Sequence, residues 1–211
     1  MPFDAAIFDL DGTLLDTERL LLEAGIEAFA ELGHEADRAF LVSLIGTSGA
    51  EAQARIADRF GRLMDLVALE QVWDAAARRR HDLGIPLRPG VAELLDALGP
   101  MPRAVATNSA TGTAITKLTA TGIAAHFAHV VGYDAVPRPK PAPDVFLEAA
   151  RLLGARPDAC VVFEDSVTGV TAALAAGMTV IHVPDLHAVE VPGAHHRAET
   201  LLAGARAAGL I

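Results

Sequence analysis

Two aspartates at the end of the first apolar segment are the residues most suggestive of chemistry. Asp9 and Asp11 are separated by one residue and followed by Gly12. Alternation along a strand would point both carboxylates to the same side, and Gly12 would let the backbone turn sharply. Two carboxylates on a buried strand are costly unless a cation compensates them, and Mg²⁺ prefers a few carboxylate oxygens with phosphate and water. The pair predicts a magnesium site or, taken in isolation, a solvated turn.

A second polar segment, Thr107, Asn108 and Ser109, follows the next apolar run of the strand type. Hydroxyl and amide groups beside the N–H groups that open a helix make a cradle for an anion. The alternative interpretation is that Ser109 or Asn108 only caps the helix that starts near Thr111. Both interpretations fit these residues alone.

Lys140 is the third candidate, because prolines flank it at positions 139 and 141. The chain contains only two lysines, Lys117 and Lys140. A compact ammonium in a stiff loop suits neutralisation of a phosphoryl oxygen and shielding of a carboxylate nucleophile. The alternative is a solvent-exposed loop lysine.

Another pair of acids, Glu164 and Asp165, closes the apolar run that begins at Cys160. Ligands of open parallel sheets bind beyond the carboxyl ends of the strands. We therefore expect both acids to converge with Asp9 and Asp11 on one cation.

The elements that must position these residues are short buried strands alternating with helices. Apolar runs predict strands, and the helical patterns between the later runs often end in glycine. The alternation predicts an α/β fold, a doubly wound Rossmann-like parallel sheet. The predicted strands are Ala5 to Leu10, Ala104 to Thr107, Val130-Val131, Cys160 to Phe163 and Thr179 to Val183.

The segment 16–86 breaks this alternation, because it contains helical patterns and no convincing strand. A connector rich in proline and glycine at 83–90 ends it. We therefore predict an α-helical insert at 16–86 and a core formed by 1–15 and 87–211, with a closing helix near the C-terminus. The helices predicted in the insert are Thr17 to Leu32, Arg38 to Ile45, Ala50 to Phe60 and Asp65 to Asp82.

Composition narrows the class of protein. A formal net charge of −10 argues against broad binding to nucleic acid or anionic membrane, and the basic run 78–80 fits a solvated helix face. The chain has a single cysteine, Cys160, in an apolar run, so we expect a buried thiol and no intramolecular disulfide. The first residues lack a secretory signal pattern, which gives a cytoplasmic setting as the expectation. The sequence does not indicate an oligomeric state, and a monomer is the default expectation. The adjacent His195 and His196 are interpreted as a solvated turn.

Taken in order, the four segments resemble the haloacid dehalogenase superfamily, in its branch with a helical cap inserted after the first strand. The motifs are Asp-x-Asp-Gly-Thr, Thr-Asn, Lys-Pro-x-Pro-Asp and Glu-Asp-Ser-x-x-Gly, and they span most of the chain. The resemblance is to beta-phosphoglucomutases and to sugar-phosphate or phosphoglycolate phosphatases. It implies a Mg²⁺-dependent phosphoric monoester hydrolase acting on a small phosphorylated metabolite.

The resemblance also implies a role for each residue of the site. Asp9 would attack phosphorus and form an aspartyl-phosphate, while Asp11 would act as general acid and then as general base. The metal ligands would be the carboxylates of Asp9, Glu164 and Asp165 and the backbone carbonyl of Asp11. Phosphoryl oxygens would be held by Thr107, Asn108, Ser109 and Lys140.

Departures from the family pattern favour one reaction over others. A dehalogenase has Tyr where this chain has Asp11, and a phosphonate-cleaving member needs a cap lysine, which 16–86 lacks. Mutase-like members have His where this chain has Leu21 and Arg where it has Gly49. These losses favour transfer to water, and a phosphomutase stays as the alternative because Arg55 could replace the missing cation.

Specificity is expected to come from the cap, which would close over the site and exclude water. The candidate specificity residues are small or polar: Glu18, Gly46, Thr47 and Ser48. An alternative for Thr47 and Ser48 is that they cap the helix that follows.

Overall fold

The computed structural model describes residues 3–44, 49–61, 64–186 and 191–211. The chain divides into two compact units. Met1–Asp16 and Pro86–Ile211 form the first, called here the sheet unit, and Thr17–Ile85 form the second, called the helical unit.

The sheet unit is built on six strands in the order β3-β2-β1-β4-β5-β6 within the described residues. Every neighbouring pair is parallel. The strands are β1 (Ala5–Phe8), β2 (Arg103–Ala106), β3 (His129–Val131), β4 (Cys160–Glu164), β5 (Thr179–His182) and β6 (His196–Arg197). From β1 the chain adds strands outward on one side of the sheet, and from β4 it adds them outward on the other side. Open α/β sheets bind their ligands at such a switch point, here between β1 and β4.

The central strands are buried on both faces, as expected when helices cover a parallel sheet on both sides. All residues of β1 and β4 are buried. On one face Ile7 and Val162 belong to a core shared with apolar residues of two helices. On the other face the rings of Phe8 and Phe163 stack at 4.8 Å. The predicted doubly wound α/β fold is confirmed.

Helices of the sheet unit connect or follow the strands. They are α5 (Val91–Ala97), α6 (Thr111–Ala120), α7 (Asp144–Leu153), α8 (Val167–Ala175) and α9 (Leu201–Ala207). Residues of α7 and α8 supply the first face of the core, whereas α9 packs near Ile181 of β5, whose side chain lies 2.4 Å from where a β-carbon of Gly204 would stand. Both faces of the sheet therefore carry helices.

The helical unit contains four helices in its described residues: α1 (Thr17–Glu31), α2 (Arg38–Val42), α3 (Gly49–Phe60) and α4 (Leu66–Asp82). Helices α1 and α4 approach closely at Gly25, where an added β-carbon would lie 2.4 Å from the Trp73 ring. Trp73 Nε1 also donates a 3.0 Å hydrogen bond to the Leu21 carbonyl oxygen. Small size at position 25 is thus what admits the indole.

The chain leaves and re-enters the sheet unit through two adjacent strand-like segments. Leu15 forms an antiparallel bridge with Leu87, and Asp16 N–H donates to the Pro86 carbonyl at 2.9 Å. Backbone hydrogen bonds therefore join the segment before the insertion to the segment after it. They hold the chain that follows β1 in place.

The interpretation of His195 and His196 as a solvated turn holds for His195, which is exposed at a bend, and is wrong for His196, which is half-buried and opens β6. The His195 N–H donates to the Val180 carbonyl, and the Val180 N–H donates to His195 Nδ1 at 3.1 Å. The two-residue edge strand is too short to leave a periodicity signal. Cys160 is fully buried, as predicted. In the part of the chain that the structure describes, no helix has both the length and the apolarity to cross a membrane.

Candidate active site

The predicted acids lie at the carboxyl ends of two hydrogen-bonded central strands. Asp9 directly follows β1, and Glu164 ends β4. Asp9 N–H donates to the Phe163 carbonyl at 3.0 Å, so the β1–β4 ladder extends to the acids. Backbone pairing therefore brings together side chains that are far apart in sequence.

Lys140 is buried and joins two of these acids. Its Nζ lies 2.6 Å from Asp9 Oδ1 and 2.6 Å from Glu164 Oε1. The ammonium also lies 4.7 Å from the centroid of the Phe146 ring, within the range of a cation–π contact. The alternative of a solvent-exposed loop lysine is excluded, because only 6% of Lys140 is exposed.

Burial and charge act in opposite directions on Asp9. Removal from water raises the pKa of Asp9 to about 7, against the lowering effect of Lys140, while Glu164 and Asp11 add to the rise. Burial by itself would lower the pKa of Lys140, but Asp9 and Glu164 hold it above its ordinary value. The lysine therefore stays charged, and the Asp9 carboxylate still lacks full compensation.

Asn108 fixes the backbone of the lysine loop. Its amide nitrogen donates to the Lys140 carbonyl at 3.2 Å, and its amide oxygen accepts from the Lys140 N–H at 2.9 Å. Both ends of the amide are therefore engaged with the main chain of Lys140. Contact of this side chain with a phosphoryl oxygen stays a prediction.

Thr107 and Ser109 form the turn between β2 and α6. Thr107 Oγ1 accepts from the Ser109 N–H at 3.0 Å, and 2% of Thr107 is exposed. The N-cap of α6 is Ala110, without a side-chain capping bond. The alternative interpretation of Asn108 or Ser109 as the cap is therefore wrong: the helix begins at Thr111, as expected, but Ala110 occupies the cap position and the Ser109 hydroxyl donates to Asp11.

The Asp11 carboxylate has one donor on each oxygen. Ser109 Oγ donates to Oδ2 at 2.7 Å, and Lys117 Nζ donates to Oδ1 at 2.6 Å. Sequence reasoning did not select Lys117. The signal available was composition, since this chain uses lysine only twice and both lysines pair with an aspartate of Asp-x-Asp.

Glu164 has hydrogen bonds on both carboxylate oxygens. Oε1 accepts from Lys140, and Oε2 accepts from the N–H and hydroxyl of Ser166 at 2.9 and 3.0 Å. A β-carbon on Gly169 would lie 1.6 Å from Oε1. The spacing Glu-Asp-Ser-x-x-Gly therefore has a steric reason: the carboxylate occupies the space that the glycine leaves.

Asp165 packs against the turn after β1. Thr13 Oγ1 donates to Asp165 Oδ1 at 2.9 Å, and the carbonyl oxygen of Asp165 lies 2.9 Å from His182 Nε2. A β-carbon on Gly12 would lie 2.3 Å from Asp165 Oδ2, and Gly12 has φ of +83°. Position 12 requires glycine for both conformation and space.

The chemistry of the donor set suits a hard divalent cation. Four acids lie at this edge, and among the described residues three of them pair with an ammonium group: Asp9 and Glu164 with Lys140, and Asp11 with Lys117. Across those residues no three acidic, histidine or cysteine side chains are gathered as a complete metal site. Mg²⁺ is usually held by one or two carboxylates together with substrate phosphate and water. The residues present therefore fit a hard divalent cation whose remaining ligands would be water and a bound phosphate group.

The predicted specificity residues lie in the helical unit. Glu18 lines a cavity of about 490 Å³ between its helices, together with apolar residues such as Leu44 and Trp73. Gly46, Thr47 and Ser48 lie outside the described residues.

Arg55 of α3 is the residue predicted to substitute for the cap arginine of mutase-like members. It is hydrogen-bonded to Ser43, at the end of α2. Its guanidinium donates to the Ser43 carbonyl at 2.6 Å and to the Ser43 hydroxyl at 3.2 Å. Leu21, in place of histidine, has 51% of its surface exposed.

Comparison with known proteins gives consistent matches. The family model described as haloacid dehalogenase-like hydrolase matches residues 6–183. Fructose-1-phosphate phosphatase YqaB of Escherichia coli K12 is 35% identical over 177 residues, covering 84% of this chain and 94% of that protein.

Two solved structures share the fold along nearly the whole chain. A HAD family hydrolase from Deinococcus radiodurans R1, with bound phosphate and sodium, has a TM-score of 0.82 and 33% identity and covers 98% of this chain and 95% of that one. A putative beta-phosphoglucomutase from Thermotoga maritima has a TM-score of 0.81 and 25% identity, with 99% of both chains covered.

The order of the motifs, the topology of the sheet and the similarity to these proteins all indicate the same family. The predicted enzyme class, a hydrolase of this family, is confirmed. This chain belongs to the haloacid dehalogenase-like hydrolases, in the branch that carries a helical cap after the first strand.

Proposed function

We propose that the protein is a Mg²⁺-dependent phosphatase that hydrolyses a small phosphorylated metabolite, such as a sugar phosphate, through an aspartyl-phosphate on Asp9. The observation that carries the proposal is the buried Asp9–Lys140–Glu164 bridge at the carboxyl edge of the sheet. Further support comes from the relative named as a sugar-phosphate phosphatase and from the related structure with bound phosphate.

In the first step an Asp9 carboxylate oxygen attacks phosphorus, and the bond from phosphorus to the ester oxygen breaks. Asp11 gives its proton to the departing oxygen, so that the product leaves as a neutral alcohol. Lys140 keeps the Asp9 region from accumulating negative charge as the phosphoryl group arrives. Thr107 and backbone N–H groups of the turn after β2 hold phosphoryl oxygens.

In the second step water attacks the phosphorus of the aspartyl-phosphate. Asp11, now ionised, takes a proton from that water, and the acyl-phosphate bond breaks. Asp9 returns as a carboxylate and inorganic phosphate leaves. Two carboxylates thus divide the work of nucleophile and acid/base.

For the metal we propose Asp9, Asp165 and the Asp11 backbone carbonyl as ligands, with Mg²⁺ supplying charge neutralisation of phosphoryl oxygens when bound. Glu164, also predicted as a ligand, is assigned first to positioning Lys140, because both of its oxygens are already hydrogen-bonded. Hard oxygen donors favour magnesium over softer metals.

We further propose that the segments 1–15 and 87–211 act as the catalytic core and that 16–86 acts as the cap that selects the substrate. The candidate specificity residues remain Glu18, Gly46, Thr47 and Ser48. We expect a cytoplasmic enzyme, a monomer, with no nucleic acid or membrane partner.

A phosphomutase is the second candidate, favoured by the likeness to a putative beta-phosphoglucomutase. Such an enzyme must hold a second phosphate, and the Arg55 guanidinium is already hydrogen-bonded to Ser43. A hexose-phosphate isomer assay with added bisphosphate separates the candidates, since a mutase interconverts isomers and releases little phosphate.

The test of the hydrolase is phosphate release from a panel of phosphorylated metabolites, with Mg²⁺ present or removed by a chelator. We expect activity with Mg²⁺, its loss on chelation and its loss in Asp9→Asn. Asp4→Asn is the matched control, because Asp4 is an exposed aspartate just before the same strand, and it should keep full activity.

A covalent intermediate gives a second readout. Denaturation during turnover should trap a phosphoryl group on Asp9 that hydroxylamine removes. Undiminished turnover by Asp9→Asn would contradict the nucleophile assignment, and undiminished turnover after chelation would contradict the metal.

A further inference from the structure

The ion pair between Asp11 and Lys117 has no part in the roles assigned so far. Lys117 lies in the last turn of α6, and its Nζ is 2.6 Å from Asp11 Oδ1. The side chains are 15% and 30% exposed, so solvent screens the pair less than an ordinary surface pair. Such a partly buried pair is weak evidence for stabilisation by itself, because the desolvation of the two charges offsets much of their attraction.

The simplest explanation of Lys117 is helix stabilisation, because a cation near a helix C-terminus interacts favourably with the helix dipole. The geometry indicates more than that. Helical side chains lean towards the helix N-terminus, which lets Lys117 reach back to the edge of the sheet and contact Asp11. A cation serving the dipole alone would have no need of that contact.

The two donors to Asp11 are on different oxygens and come from one segment of the chain. Ser109 holds Oδ2 and Lys117 holds Oδ1, and both residues belong to the turn and helix that follow β2. A carboxylate held at both oxygens has its orientation fixed. An acid/base must lie within hydrogen-bond reach of the atom it serves, and small misplacements reduce rates strongly.

We infer that Lys117 is a positioning residue for the general acid/base Asp11, working with the Ser109 hydroxyl. The inference rests on the proposed function for the role of Asp11. The two lysines of the chain are then divided between the two aspartates of Asp-x-Asp: Lys140 serves the nucleophile and Lys117 serves the acid/base.

The test compares two substrates in the full-length enzyme. Glycerol 2-phosphate has a poor leaving group that needs protonation, whereas 2,4-dinitrophenyl phosphate has a good one that does not. For Lys117→Met we expect kcat/KM to fall by about 10- to 100-fold with glycerol 2-phosphate and by less than about threefold with dinitrophenyl phosphate. Lys117→Arg should recover most of the loss.

Arg138→Met is the matched control, since it also removes a cation paired with a carboxylate, Asp144, at an exposed position. It should leave both substrates unaffected. In the Asp11→Asn background, Lys117→Met should cause no further loss, because the two residues then act as one unit. Equal losses on both substrates, or an additive loss in the double variant, would overturn the inference.

A readout without turnover separates this inference from the proposed function. The shift in urea midpoint caused by Lys117→Met should disappear in the Asp11→Asn background if the two side chains interact. If wild type hydrolyses neither substrate, the proposed function fails. An equal shift in both backgrounds would overturn the Lys117–Asp11 contact by itself.

Discussion

Individual residues at the sheet edge are arranged so that each acid has a defined partner. Asp9 and Glu164 share Lys140, and Asp11 is held by Ser109 and Lys117. Two of the acids, Glu164 and Asp165, also occupy space that a neighbouring glycine leaves open. The clearest case is the helix glycine beside Glu164, where no larger side chain fits without displacing the carboxylate.

Gly169→Ala is therefore expected to reduce activity by at least about tenfold and to destabilise the protein by about 1–3 kcal/mol through overpacking. The added methyl would displace Glu164 and, through it, Lys140. Steady-state kinetics and urea unfolding measure the two effects.

The control is Gly112→Ala, also a helix glycine, where an added β-carbon would meet nothing within 4 Å. That change should keep activity and raise stability by about 0.5–1 kcal/mol, as alanine is the better helix former. Equal behaviour of the two variants would contradict the steric account of the Glu-Asp-Ser-x-x-Gly motif.

At the scale of elements, helix α4 shows how the ends of a helix are stabilised by different charges. Asp65 is the N-cap, and its carboxylate accepts from the N–H groups of Val67 and Ala68 at 3.0 Å. Basic residues occupy the last turn, where they complement the helix dipole. Asp82, at the C-terminal end, carries a charge of the unfavourable sign.

Asp65→Ala should lower the free energy of unfolding by about 0.5–2 kcal/mol, because two N–H groups lose their acceptor. Asp82→Ala in the same helix should be neutral or stabilise by about 0.3–1 kcal/mol, since it removes a negative charge from the C-terminus. Urea unfolding of both variants checks the sign, and a loss of stability in Asp82→Ala would contradict the dipole argument.

For the whole molecule, the two units differ in how they are packed. The strands of the sheet unit are largely buried, whereas α3 buries only Ile56 and α4 buries Leu69 and Ala76. The helical unit also contains a cavity of about 490 Å³. Small units with little buried apolar area have low stability of their own.

The sequence contains one tryptophan and one cysteine, and each of them can report the unfolding of one unit. Trp73 lies in the helical unit, and Cys160 lies in β4 of the sheet unit. Burial raises the pKa of the Cys160 thiol to about 11, so the native thiol should resist labelling, because the thiolate is the reactive form.

In a urea titration we expect Trp73 fluorescence to change at a lower midpoint than Cys160 labelling by a disulfide reagent. Ser43→Ala, which removes one acceptor of Arg55 in the helical unit, should move the fluorescence transition and leave the labelling transition in place. Coincident transitions in every variant would mean that the two units unfold together.

The sequence by itself determined the α/β fold and the strand-end acids, because buried parallel strands leave long apolar runs and the acids interrupt them. It predicted a role for Lys140 through its flanking prolines. It did not select Lys117, for which the rarity of lysine was the one available signal and whose partner Asp11 lies 106 positions away, nor the two-residue strand β6, whose hydrogen bonds come from β5.

Only the tertiary structure decided which partner each polar group takes. Glu164 is hydrogen-bonded to Lys140 and Ser166, and the Asn108 amide binds the Lys140 backbone, although residue type alone fitted a metal or phosphate contact for both. The physical reason is that hydrogen-bond partners are set by distance and direction in three dimensions. Residue type and spacing limit only which bonds a side chain is able to make.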